Sequence, residues 1–270
     1  MKEKYARALT KALGLRRQVV GVKFITYQKE FDGLPFIELR GKMSFCAMAR
    51  KAMAGDSFKA NQGNFNCQYS AYALGITRPP DSVTRGDTYA ATKLYESKSI
   101  ALSALRSMRF LDQRIYGVAA GPLASLEECD VVIILGDAYQ IMRCMQGYAY
   151  KFGAPGSLCS IGNQAMCSDL AAKPFASHDI NISFLCKGAR LYAKADPGEL
   201  GIGLPIDMFP AFVDGVVQTV NPVNHRHEKE AILAALDTPD ELGIEIDFDA
   251  DYGKFLREYE EYAAEMASLS

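Results

Sequence analysis

Seven cysteines in a chain of 270 residues are the side chains best able to do chemistry here. A chain of this length can bury a core without disulfide staples, which small secreted domains need. The thiols therefore read as free sulfurs or metal ligands. No C-x-x-C occurs, so neither a thioredoxin-type pair nor a ribbon-type zinc site is written locally. Any metal site must be assembled by the fold. A wider pattern is present: twenty residues stand between Cys46 and Cys67, and eighteen between Cys167 and Cys186.

In each pair the first cysteine sits near the predicted start of a helix, where backbone N–H groups and the helix dipole favour a thiolate. The second lies beside small or polar residues, Asn66-Cys67-Gln68 in one pair and Cys186-Lys187-Gly188 in the other. Such backbone can approach a cluster and donate N–H bonds to sulfide. Four thiolates could converge on a [4Fe-4S] cluster or tetrahedrally on zinc, and spacing alone leaves both open beside a third reading, buried unligated thiols. Cys129, Cys144 and Cys159 read as packing residues, with Cys144 and Cys159 the two that could stand beside a cluster as a fifth sulfur.

Other chemistry finds less support. Only His178, His225 and His227 are available, and neither H-E-x-x-H nor G-x-S-x-G occurs. His225-Arg226-His227 follows Asn221-Pro222 and reads as a surface turn. There is no phosphate-binding G-x-x-x-x-G-K-[ST], and Gly201-Ile202-Gly203 lacks the third glycine of a dinucleotide fingerprint. Gly153 to Ser157 reads as a helix stop followed by a turn. Lys187 and Arg190 follow Cys186 directly, while Gln140 and Arg143 are expected on a polar face of one helix; these four could hold a carboxylate substrate near a cluster. Tyr139 could line the same region, and Tyr148 is expected in the core.

Thirty basic and 32 acidic residues leave a formal charge of -2, with no basic cluster interleaved with aromatics, so nucleic acid is not an expected partner. The longest strongly apolar run, Val131 to Leu135, is far short of the ~20 residues of a spanning helix. Nothing in Met1 to Arg16 reads as a secretory signal, so a cytoplasmic location is expected.

The elements that would position these residues follow from periodicity. Tyr5, Leu9, Ala12 and Leu13 share a helical face that Gly14 ends. Gln18 to Thr26 alternates as a strand, Ser44 caps a helix carrying Cys46 that Gly55 stops, and Asn61 to Asn66 is a loop. Thr92 to Arg109 reads as a helix and Arg114 to Ala120 as a strand. Asp130 to Gly136 is a continuous buried strand leading into a helix with Ala138, Ile141, Met142, Met145 and Tyr148 on one face. Asn163 is expected to cap a helix carrying Cys167, Asp179 to Cys186 to form a strand closed by Gly188, and Glu199 to Leu204 another, with Pro205 opening a helix to about Val217. Asp237 to Asp251 reads as an acidic loop or edge strand, and Tyr252 to Met266 as an amphipathic helix docked on the body or a second subunit.

These elements define an α/β fold, a mixed sheet flanked by helices, with two related halves packed around a shared seam. The expected organisation is one domain over 1–270, with possible lobes at about 1–125 and 126–220 and a helical extension over 221–270.

Several stretches together resemble a known family. They are GVKF at Gly21 to Phe24, Cys46, Cys67 with Leu74-Gly75, Pro122-Leu123, DVVIILGDAYQIMR from Asp130, Gly162 with Cys167, SFLCKGAR from Ser183, and Glu199-Leu200 through Pro205. Their order and spacing over roughly residues 15 to 220 resemble the ArCR (archaeal conserved region) family, a domain of unknown function. The resemblance implies cysteines matching Cys46, Cys67, Cys167 and Cys186, and none matching Cys129, Cys144 or Cys159. It implies a setting in anaerobic archaea and bacteria, adds weight to a cluster, and assigns no reaction. Where the family usually has Pro-Glu-Gln, this chain has Ala138-Tyr139-Gln140. The expectation is then an iron-sulfur protein holding one [4Fe-4S] cluster on those four cysteines and carrying out reductive chemistry on a small molecule, with a ferredoxin-type electron donor and homo-oligomerisation possible. Zinc in the same site, a cluster acting as Lewis acid in lyase or desulfurising chemistry, and a non-catalytic metal-binding or sensing role are the alternatives.

Overall fold

The computed structural model describes residues 2–39, 41–112, 114–220, 226–236 and 252–268. In chain order the principal elements are α1 (Lys2–Leu13), β1 (Val20–Ile25), α2 (Gln28–Gly33), β2 (Ile37–Glu38), α3 (Phe45–Ala52), β3 (Phe58–Asn61), α4 (Gln68–Ala73), α5 (Asp81–Thr84), α6 (Asp87–Ala91), α7 (Lys98–Ser107) and β4 (Gly117–Pro122). Then come β5 (Val131–Gly136), α8 (Ala138–Phe152), a π-helix (Met166–Ala172) running straight into α9 (Lys173–Ser177), β6 (Asn181–Ser183), α10 (Lys187–Tyr192), β7 (Leu200–Pro205) and α11 (Phe209–Gln218). Two further helices, Arg226–Ala235 and Tyr252–Ser268, follow.

The strands form one seven-stranded sheet in the order β2-β3-β4-β1-β5-β7-β6. Every pairing is antiparallel except that of β2 with β3, so the α/β class with a mixed sheet is as the sequence predicts. Strands from before residue 125 lie on one side and those from after it on the other, meeting where β1 pairs with β5. That central ladder spans only Val20–Ile133, Gly21–Val132 and Val22–Val131, whereas β1–β4 and β5–β7 each run for six residue pairs. Where it stops, the Asp130 carboxylate accepts from Phe24 N at 2.7 Å and Asp130 N donates to Val22 O at 2.8 Å. Strand count and direction do not relate the two sides, one having four strands with a parallel pair and the other three antiparallel strands.

Both faces of the sheet are covered, which is why β5 reads as an unbroken apolar run. Val131, Ile133 and Leu135 join one core with Cys46 and Cys167, while Val132 and Ile134 join a second core built on α1, α8 and α11. On the cysteine-bearing face the π-helix lies hard against β7. A Cβ on Gly203 would come 2.0 Å from the Leu170 carbonyl oxygen, and one on Gly201 would meet the Leu170 side chain at 2.4 Å. The Gly201-Ile202-Gly203 stretch is therefore a landing place for the helix that carries Cys167.

Several local expectations shift. The helix expected over Thr92 to Arg109 begins only at Lys98, where the Ser97 hydroxyl accepts from Ile100 N; Thr92 ends α6 instead. The strand after Asp179 stops at Ser183, and Cys186 opens a helix. Asn163 caps nothing: its amide donates to Tyr95 Oη at 2.5 Å, and the π-helix starts three residues later. On α8 the buried face includes Arg143 and Cys144, while Met142 is exposed. Arg143 is 1% exposed and donates to Gln146 Oε1, Thr219 Oγ1 and Val216 O at 3.0, 3.0 and 3.1 Å. Its cation meets the carbonyl end of α11, where the helix dipole is negative. Arg226 and His227 open a helix where a turn is expected. Tyr252–Ser268 is helical, with Tyr262 and Met266 exposed. His225 and the Asp237 to Asp251 stretch lie outside the described residues.

Candidate metal centre

The four paired cysteines come from four separate helix starts. Cys46 is the second residue of α3, whose N-cap Ser44 accepts from Ala47 N at 3.2 Å. Cys67 is the N-cap of α4 and Cys186 the N-cap of α10, where its sulfur accepts from Ala189 N at 3.4 Å. Cys167 is the second residue of the π-helix. In every case the sulfur sits where amide N–H groups are not used by the helix itself, so negative charge is favoured there.

All four line one cavity of about 630 Å³. Among the described residues Lys187 is the one charged side chain in its wall, which is otherwise built largely from small, amide and aromatic residues. Tyr69 and Tyr89 pack with ring centroids 5.1 Å apart, and Gln164 donates to Tyr89 Oη at 3.0 Å while its Oε1 stands 3.7 Å from Cys167 Sγ. Cys46 and Cys167 are close enough to influence each other. The neighbouring Cys167 and burial push the Cys46 thiol well above its ordinary range, while the neighbouring Cys46 pulls Cys167 below it. Burial raises Cys186, with Ala189 N–H acting against it.

Ser70, on the α4 turn that Cys67 caps, is 1% exposed and lines the cavity beside Cys167. No acceptor stands at hydrogen-bonding distance from its Oγ. A buried donor without a partner costs about 1–3 kcal/mol. An acceptor placed in the cavity, such as the sulfide of an iron-sulfur cluster, would satisfy it. Among the described residues no three His, Cys, Asp or Glu side chains are arranged to hold a metal ion. The thiols share a cavity wall, not a single coordination sphere.

Two buried devices hold the cysteine-bearing segments together. Asp169, two residues after Cys167, accepts from Ser160 Oγ at 3.0 Å and Ser183 Oγ at 2.8 Å, while Ser183 Oγ itself accepts from Leu185 N at 3.1 Å. Leu185, just before Cys186, has φ +62°, a left-handed backbone that a leucine adopts only when its surroundings hold it. Burial raises the Asp169 carboxyl to about 6. Arg50, at the end of α3, donates to Ala193 O at 3.2 Å and Lys194 O at 2.7 Å and pairs with Glu199 at 3.2 Å. It ties the far end of the Cys46 helix to the far end of the Cys186 helix.

Of the other residues considered from sequence, Lys187 lines the cavity, whereas Arg190, Gln140 and Arg143 stand apart from it. Arg190 donates to Phe184 O and Glu199 O, each at 2.9 Å, and to Asp196 O. Gln140 forms a capping box with Asp137 and donates to Leu13 O and Gly14 O, joining α8 to α1. Cys129 and Cys144 are buried in the opposite core, where burial raises their thiols to about 11 and about 12. Cys159 lines a different hollow, and all seven cysteines are free. Ser70, Tyr89 and Gln164 were not singled out from sequence. For Ser70 the available signal was helical spacing, since it stands three residues after Cys67 on the helix that Cys67 caps.

Fold and site together define a mixed α/β protein with a four-thiol cavity over the middle of its sheet. The chain belongs to the family described as Uncharacterised ArCR, whose model matches residues 8–215 and so spans all four cysteines. No curated protein and no solved structure matches it. None of the described helices is long and apolar enough to cross a membrane.

Proposed function

We propose that Cys46, Cys67, Cys167 and Cys186 hold one [4Fe-4S] cluster in this cavity, and that the protein uses it for reductive chemistry on a small molecule. The observation that carries this reading is the convergence of four helix-start thiols, two from each side of the β1–β5 seam, on one cavity. The orphaned Ser70 hydroxyl supports it. A single tetrahedral zinc would require sulfurs about 3.8 Å apart. A body of several irons suits thiols spread around a wall of this size better, so zinc is the second choice. When bound, such a cluster supplies one electron at a time, or a Lewis-acidic iron if one thiolate is lacking.

The chain's own residues have definable tasks. Helix-start N–H groups and the Lys187 ammonium offset the negative charge of four thiolates. Ser70 donates into the cavity. Tyr69, Tyr89 and Gln164 form a wall that excludes water and offers a substrate aromatic faces and an amide. The reading includes a ferredoxin-type donor and a reducing, cytoplasmic setting, because exposed thiolates and clusters persist there.

Anaerobic reconstitution with iron and sulfide tests the proposal. Loaded protein is expected to be brown, with about four irons per chain. Each of C46S, C67S, C167S and C186S should lose iron, and C129S, C144A and C159S should keep it. Zinc bound tightly at one per chain, with iron refused, would sink the cluster. Retention of most iron in one of the four variants would point to a three-thiolate site.

A further inference from the structure

We infer that a second site, built on Arg106, Arg109 and Lys173, binds a small dianion of the phosphate class. These three cations line a separate cavity of about 360 Å³ between the end of α7, the segment carrying Cys159, and α9. Ser107, Ser157 and Ser177 lie in the same wall, and no carboxylate does.

Among the described residues no carboxylate lies within ion-pair reach of any of the three, in contrast to Arg17 and Arg50, which share Glu199, and Lys23, which meets Glu30 and Glu128. Lys173 Nζ reaches only Ser157 Oγ, at 3.4 Å. Asp112 shares an adjoining hollow with Arg109 without pairing to it, and the Asp169 carboxylate, which feels the Lys173 charge from beyond ion-pair distance, is bonded by Ser160 and Ser183. Three like charges around one concavity repel one another unless an anion stands between them. Two guanidinium forks and an ammonium match the oxygens and charge of a phosphate better than those of a single carboxylate, and the Ser157 hydroxyl can donate to a remaining oxygen, those of Ser107 and Ser177 being given to Ala104 O and Lys173 O.

The backbone beneath is fixed. Arg109 N donates to Ser168 Oγ at 3.3 Å, and Ser168 Oγ donates to Arg109 O at 3.1 Å. Ser168 adjoins Cys167 and so links the backbone of Arg109 to the cysteine cavity. The inference stands whether or not that cavity holds a cluster.

Equilibrium dialysis of the full chain against radiolabelled inorganic phosphate at low ionic strength tests it. One saturable site is expected. R106Q, R109Q and K173Q should each weaken it by about tenfold or more, while R78Q, with the same charge change elsewhere, should not. Phosphate should slow iodoacetamide labelling of Cys159, which lines the same wall. Far-UV circular dichroism would confirm that the variants fold. The site is refuted by an absence of saturable binding at millimolar phosphate, by equal weakening in R78Q, or by acetate displacing phosphate at equal concentration.

Discussion

Ser183 Oγ donates to Asp169 Oδ2 at 2.8 Å, and this bond joins the strand before Cys186 to the helix behind Cys167. The same oxygen receives Leu185 N. S183A removes a fully buried hydroxyl and strands two partners. The urea midpoint should fall by the equivalent of about 2 kcal/mol with little change in slope. Loaded protein should also release iron faster on chelation. An unchanged midpoint would show that the linkage carries no stability.

Asp169 also sets a pH dependence. Its carboxyl is raised from 3.8 to about 6, so between these values the native state holds a proton that the unfolded state has lost. Its contribution is fully present below the unfolded value and is lost as pH rises through about 6, up to about 3 kcal/mol in all. The measurement is the urea stability of metal-free wild type minus that of D169N, at pH 4 and pH 7. The difference should move against wild type on going to pH 7; movement the other way would contradict the assignment.

The glycines under the π-helix should differ in their tolerance of a methyl group. On Gly203 the methyl meets the Leu170 backbone carbonyl, which can yield only by moving the helix, whereas on Gly201 it meets the end of the Leu170 side chain first. G203A is expected to destabilise by about 3 kcal/mol or more, and G201A by less. Thermal or urea melts of the two variants give the order directly.

Ser70 provides a test whose sign depends on loading. In metal-free protein S70A removes a buried donor that has no partner, so stability should hold or rise by about 1 kcal/mol. In loaded protein the same change removes a donor to the cluster and should shift its midpoint potential downward, because hydrogen bonds to sulfur stabilise the reduced form. Destabilisation of the metal-free form would mean that the hydroxyl has a partner after all.

The thiols outside the cavity should be inert. With their ionisation raised to about 11 and about 12, Cys129 and Cys144 are almost wholly protonated at neutral pH and closed to solvent. Mass spectrometry after brief iodoacetamide treatment of native protein should find both unlabelled, and both labelled after denaturation.

What could be read from sequence was what local chemistry decides. The Ser44 cap, Gly14 at φ +61° and the unbroken Val131 to Leu135 run each carry their own signal, and each lands where expected. The four cysteines line one cavity, but there Cys46 interacts with Cys167 and not with Cys67, its neighbour in the sequence pattern. Arg143 is buried where a polar face is expected because the packing of α11 against α8 supplies two of its three acceptors, from residues 73 and 76 positions away. Cys186 opens a helix where a strand end is expected because the left-handed Leu185, beyond the strand's end at Ser183, depends on Ser183 and Asp169, not on its own preferences. The cationic hollow was invisible for the same reason: Arg106 and Lys173 are brought together by the sheet.

The three-pair ladder between β1 and β5 gives the sheet a perforation down its middle, with six-pair ladders on either side. Cys46 and Cys67 belong to one side of that line, Cys167 and Cys186 to the other. Any group gripping all four is a stitch across the tear. Amide protons of Val131 and Val22 would then report cluster loss as accelerated exchange before the outer strands respond, making the sheet itself a gauge of whether its metal is in place.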